Sequence, residues 1–199
     1  MKLPADRKVL LSERLHGIDL STSTCDGREF EDCRFEECNF TETAFATCRF
    51  LDCTFEGCNL SLARVDGCGF SDVAFEDCKL VGVDWTTARW PNLALKSPLR
   101  FRSCILNDSS FFGLELPELV LDACKARSVD FREGSFPGAR FCFSDLAGCL
   151  FNRTDLSGAD FTDATDYDID VNFNQVRGAR FSRQEALRLL DHLGIELVD

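Results

Sequence analysis

Cysteine is the residue type in this chain with the most chemistry to offer: there are twelve, against two histidines, His16 and His192. Thiols in such numbers could hold zinc, pair as disulfides or act as nucleophiles. Their spacing argues against all three. Ten of them (Cys33, Cys38, Cys48, Cys53, Cys58, Cys68, Cys78, Cys104, Cys124 and Cys149) stand two residues before a position in a regular apolar beat. Cys38, Cys58 and Cys78 follow one another at every fourth beat, and the pairs Cys33/Cys53 and Cys48/Cys68 share that interval. Stacked at a strand spacing of about 4.8 Å, such side chains run parallel, whereas a disulfide needs β-carbons near 3.8 Å and turned together, and zinc needs converging ligands. They are expected to serve as small buried apolar groups. Cys142 is out of step and is the expected exposed thiol.

The other chemistries fare no better. One histidine in each terminal segment gives poor support for a Cys–His couple or a histidine metal site. No glycine-rich phosphate loop or nucleophile elbow occurs. Asp166, Asp168 and Asp170 imitate the start of a calcium loop, but Val171 stands where the turn glycine belongs and Arg177 where the bidentate glutamate belongs. The chain is expected to be no enzyme and to use no cofactor and no metal.

Carboxylates remain. The formal net charge is −12, and no basic face is evident, so direct binding to nucleic acid or to an anionic membrane is not expected. At the same interval of four beats, Glu36, Glu56 and Glu76 fall in one outer column, with Glu37 and Asp77 beside it, and Asp32, Asp52 and Asp72 fall in another. A second acidic stretch carries Asp155, Asp160, Asp163, Asp166, Asp168 and Asp170. Like charges about 4 Å apart repel by roughly 1 kcal/mol even in water, so such columns favour counterions or a basic partner. Two readings stand. The columns either keep a solenoid soluble, or imitate the phosphate rows of DNA for a basic DNA-binding surface.

What positions these columns is a period of five. From Phe30 an apolar residue recurs at Phe35, Phe40, Phe45, Phe50, Phe55, Leu60, Val65, Phe70, Phe75, Leu80, Trp85, Trp90 and Leu95. The beat slips by one residue over 96–100 and resumes at Phe101, running on to Phe161. Neither a helix nor a flat strand has this period; it marks a repeat protein. The beat residue and the one two before it share a side of the chain and point inward, one large and one small. The series at every fourth beat implies four units per coil. An extra residue at the slip makes a bulge, and Lys96, Pro98 and Arg100 there are a possible contact point. Trp85 and Trp90 are expected in the core. Asp166 would fall on a beat position, and Tyr167 is expected to adjust the register there.

At this point the chain resembles the pentapeptide-repeat family, through Ala159-Asp160-Phe161, Thr154-Asp155-Leu156 and Cys58-Asn59-Leu60. The resemblance implies an all-β solenoid, a right-handed quadrilateral β-helix. It spans 18–181, after an irregular N-terminal cap over 1–17. Within the family the chain looks like the topoisomerase-protecting group. The carrying stretches are Cys33-Arg34-Phe35 to Cys58-Asn59-Leu60-Ser61, Asp84-Trp85 to Ala88-Arg89-Trp90, Cys104 to Ser109, Tyr167-Asp168-Ile169-Asp170, and Leu189-Leu190 to Leu193-Gly194-Ile195. The albicidin-resistance members look closest in length and in these stretches, with the quinolone-resistance members related. The long loops of the latter have no counterpart in the beat beyond the slip. That resemblance implies a homodimer that binds DNA gyrase or topoisomerase IV and protects it from an inhibitor; the alternatives are a scaffolding solenoid with another basic partner and a protein that sequesters the drug itself.

After Phe181 the period changes. Ser182 and Glu185 read as a capping box, followed by a helical apolar stripe and a glycine stop at Gly194. A short C-terminal α-helix and tail over 182–199 are expected to cover the solenoid end and to dimerise through Leu187, Leu190, Leu193, Ile195 and Leu197. The stretch from Met1 to Leu20 lacks the apolar run of a signal peptide and no segment reaches membrane-span length, so a cytoplasmic protein is expected.

Overall fold

The computed structural model describes residues 7–90 and 98–195. Inward-pointing side chains recur at every fifth position because the chain turns a corner in each unit. Ala63 shows how: its N–H donates to the Leu60 carbonyl at 3.0 Å, while Leu62 between them has φ 58°. That is type II turn geometry, which demands a left-handed residue at its third position. The same left-handed position recurs at Asp32, Asp52 and Asp72, with φ of 51°, 50° and 54°. Asp accepts this conformation more readily than most residues, so these aspartates suit the corner backbone as well as carrying charge.

Four corners close one coil, and the result is a right-handed quadrilateral β-solenoid of about eight turns with all strands parallel. One side stacks Val9–Leu11, Glu29–Glu31, Arg49–Leu51 and Gly69–Ser71. The next carries Arg14–His16, Arg34–Glu36, Thr54–Glu56, Val73–Glu76, Leu99–Arg102 and Val120–Asp122. Single bridges hold the third side, running from Asp19 to Asn39, Asn59 and Lys79. Thr24–Asp26 and Ala44–Ala46 begin the fourth.

The core is built from ring stacks that follow the coil pitch. Phe35, Phe55, Phe75 and Phe101 lie in series with centroids 4.4, 4.8 and 5.2 Å apart. Trp85 is buried and starts a second stack with Phe111, Phe131 and Phe151. Trp90 lies over Phe70 at 5.9 Å and is half-buried, so Trp85 belongs to the core as expected and Trp90 packs against it. Offset parallel rings contribute about 0.5–1.5 kcal/mol each beyond their burial.

Three expectations about the coils need correction. Coils keep the expected register up to Ala74, which pairs with Thr54 on one side but with Arg100 on the other. Phe75 likewise pairs with Phe101, and Asp84 bridges Ser110. The coil therefore gains six residues rather than one, between Trp90 and Pro98. Leu95 and Lys96 lie outside the described residues, and Arg100 stands on a strand rather than a bulge. The first turn is also regular from Val9, which pairs with Glu29, so the coil begins ahead of residue 18. Finally, Cys142 is buried, like all twelve cysteines, with its thiol near the Asp160 carbonyl at 3.7 Å.

At the C-terminal end Asp166 is exposed with φ 59°, and Tyr167 fills the interior in its place. Burial pushes the Tyr167 hydroxyl up to about 12. The closing helix, Glu185–Leu193, is a 3-10 helix rather than an α-helix. Its N-cap is Gln184 with no side-chain cap bond, so the predicted capping box does not form. Ser182 and Glu185 are drawn away: Ser182 Oγ accepts the Asp163 N–H, and Glu185 Oε2 accepts the Asp166 N–H. Gly194 does end the helix, at φ 64°.

Candidate protein-binding face

The glutamate column forms as the spacing predicts: Glu36 lies in register with Glu56, and Glu56 with Glu76. What the spacing did not reveal is its partial neutralisation. Arg14 donates to Glu36 at 2.7 Å, and Arg34 bridges two rungs, with Glu36 at 3.0 Å and Glu56 at 2.5 Å. The hydrogen bond from Arg14 holds the Glu36 carboxyl below the usual range. The strand direction explains the contact: Arg34 sits two residues before Glu36, on the same outward face. Above Glu76 the column changes sign, because Glu76 is in register with Arg102.

The aspartate column is more open. Asp32 accepts from the Ser12 hydroxyl at 2.8 Å, and Asp72 pairs with Arg100 at 2.5 Å. Asp52, Glu76 and Asp77 have no ion-pair partner among the described residues. Acidity is concentrated here. Residues 26–84 hold fourteen acidic and five basic side chains, a net −9, whereas 85–153 hold seven and nine, a net +2. Charge is therefore uneven along the rod: the early coils are strongly negative, the middle coils slightly positive, and residues 154–199, with ten acidic and four basic side chains, negative again.

The second acidic stretch is turned to another use. Asp166 pairs with Arg188 at 3.0 Å, and Asp168 meets His192 at 2.6 Å. Asp170 lies 3.8 Å from the other ring nitrogen of His192. Asp163 accepts from Ser182 at 3.1 Å. These contacts fasten the closing helix to the last coil, so four aspartates first read as partner-binding also hold the end cap. Asp168 raises the affinity of His192 for its proton. On the helix, Leu189 packs against the core, Leu190 is half-buried, and Leu187 and Leu193 are exposed; Ile195, just past the helix, is exposed as well. Leu197 lies outside the described residues.

The small inward slot also has a property that composition concealed. Cys38, Cys58 and Cys78 place their sulfur 3.3–3.4 Å from the carbonyls of Leu15, Phe35 and Phe55, one coil back. Thr43, Ser144 and Thr154 make the same bond to Leu20, Leu121 and Phe131. At these positions the slot holds a small donor, while Ala63, Val83, Leu119 and Ala139 fill it as apolar groups without one. Its legible signal is that Cys exchanges with Ser and Thr at this position.

The pentapeptide repeat region model matches residues 28–99 and 83–161, well over half of the chain. The chain belongs to the pentapeptide-repeat family. No curated protein matches it in sequence. Among solved structures, a trypsin-treated form of QnrB1, a plasmid-mediated fluoroquinolone resistance protein, is similar in fold. Its TM-score is 0.52 at 21% identity, over 100% of this chain and 96% of that one. HetL, a pentapeptide-repeat protein involved in heterocyst differentiation regulation in the cyanobacterium Nostoc sp. strain PCC 7120, gives 0.53 at 17%, over 87% and 85%. At these identities the likeness is one of fold. No described helix of this pentapeptide-repeat protein is long and apolar enough to cross a membrane.

Proposed function

We propose that this protein is a non-catalytic partner of a type II topoisomerase, DNA gyrase above all and topoisomerase IV beside it, and that it acts in the cytoplasm. It occupies the enzyme's DNA-binding surface with its acidic coils and relieves inhibition by a compound of the quinolone or albicidin type. The observation that carries this reading is the concentration of charge over residues 26–84, with Asp52, Glu76 and Asp77 left without ion pairs among the described residues. Carboxylates repeated at the coil pitch present a row of negative charge, as a phosphate backbone does. The fold shared with a fluoroquinolone resistance protein supports the choice of enzyme.

A homodimer completes the proposal. Leu187 and Leu193 project from a helix fastened to the last coil, and Ile195 lies exposed just past it, which leaves an apolar surface for a second copy. The test is a gyrase supercoiling assay in which the protein is titrated with and without a fluoroquinolone or albicidin. Restored supercoiling is the expected result. The triple variant Asp32→Asn, Asp52→Asn, Asp72→Asn removes the charge with a residue that also accepts the left-handed corner, so it should keep the fold and weaken gyrase binding at low salt; unchanged affinity sinks the mimicry. The second reading is a scaffolding solenoid with another basic partner. The equally good match to HetL, a pentapeptide-repeat protein involved in heterocyst differentiation regulation, supports it. Protein that binds no gyrase subunit at any salt would select that reading.

A further inference from the structure

Most thiols of the small slot face the carbonyl of a Phe or Leu one coil earlier, but Cys48 faces a cysteine. Its sulfur lies 3.2 Å from the Cys25 carbonyl oxygen and 3.8 Å from the Cys25 sulfur. The cause is in the sequence. Cys25 takes a beat position, where Phe45, one coil on, fills the interior with a ring. A short side chain there leaves its sulfur beside the next coil's slot. Both residues are buried, and Cys25 stands on Thr24–Asp26 in the first turn of the solenoid. Closing from 3.8 Å to a disulfide bond length requires about 1.8 Å of approach.

We propose that Cys25 and Cys48 are an oxidisable pair that forms a disulfide with peroxide and staples the first coil to the second. The Cys48 sulfur attacks the O–O bond of hydrogen peroxide; a sulfenic acid forms and the other oxygen leaves as water. The Cys25 sulfur then displaces the sulfenic oxygen, which departs as a second water once both thiol protons are counted. Two thiols are oxidised by two electrons and one peroxide is reduced to two waters. Hydrogen peroxide is uncharged and little larger than water, so it reaches a buried pair at the end of a solenoid more easily than a peptide disulfide does. The crosslink closes a chain segment of about two dozen residues and so removes freedom from an opened first coil.

The test treats the full chain with hydrogen peroxide, blocks remaining thiols, and maps peptides without reduction. The expected product joins the Cys25 and Cys48 peptides with loss of two hydrogens, and dithiothreitol reverses it. Cys48→Ser retains the slot's hydrogen bond, as Ser144 does natively, and should abolish the crosslink while the fold persists. In the oxidised protein, amide exchange in the first coil should slow by about tenfold to a hundredfold. A dominant Cys48–Cys68 crosslink, or sulfinic acids without any crosslink, overturns the pairing. Unchanged exchange in a fully crosslinked sample overturns the staple.

Discussion

Thr154→Val distinguishes a slot that wants a small apolar group from one that wants a donor. Thr154 is fully buried, and its hydroxyl donates to the Phe131 carbonyl at 3.0 Å. Valine has nearly the same shape, so packing changes little, and the bond alone is removed. A typical intramolecular hydrogen bond is worth about 0.5–1.5 kcal/mol net. The Phe131 carbonyl keeps a contact from the Gly134 N–H at 3.3 Å, so the full penalty of an orphaned acceptor is not incurred. The expected destabilisation is therefore about 1 kcal/mol. With a urea m-value of about 2–3 kcal/mol/M, the midpoint should fall by about 0.3–0.5 M at unchanged m. If the slot were merely apolar, valine would be neutral or would raise the midpoint through its extra buried methyl. An unchanged or higher midpoint refutes the donor argument, and Thr154→Ser, which keeps the hydroxyl, separates loss of the bond from loss of volume.

Gly134 occupies the same slot one coil before Thr154, and a β-carbon there would meet the Phe136 ring at 2.5 Å and the Leu114 carbonyl at 3.1 Å. Gly134→Ala should cost about 1–3 kcal/mol, read as a lower urea midpoint. His192 gains Asp168 as a partner on folding, which raises its pKa. Its contribution to holding the closing helix is fully present below the unfolded value of about 6.5 and is lost as pH rises through the higher folded value. Amide exchange in 185–193 should accelerate across that window, and His192→Gln should remove the pH dependence. Deleting 182–199 should leave the protein monomeric in light scattering; a well-folded dimer would remove the helix from the interface.

Much of the architecture was legible in the chain because it is written locally. A corner in every five-membered unit forces that period on the inward positions, and four corners per coil put Cys38, Cys58 and Cys78 into register. Burial of the ten in-step cysteines and of Trp85 follows from that pattern alone. The acidic columns were legible for the same reason, as positions. Their electrostatic state was not, because Arg34 reaches across a coil boundary to Glu56, and no local rule says which rotamer it adopts.

The sequence by itself determined a solenoid with a narrow ring-stacked core and an acid-rich surface, since these depend on spacing and residue type. Only the tertiary structure decided the rest. That the coil gains six residues is visible only when Phe75 pairs with Phe101. Ser182 and Glu185 have the spacing of a cap, but two backbone N–H groups of the last coil compete for their oxygens and win. Cys142 looked free because its step is irregular, yet the chain around Asp160 covers it. In each case the deciding partner lies roughly one coil away along the chain and close by in space. Contacts at that separation are set by how coils stack, and a period says only that they do.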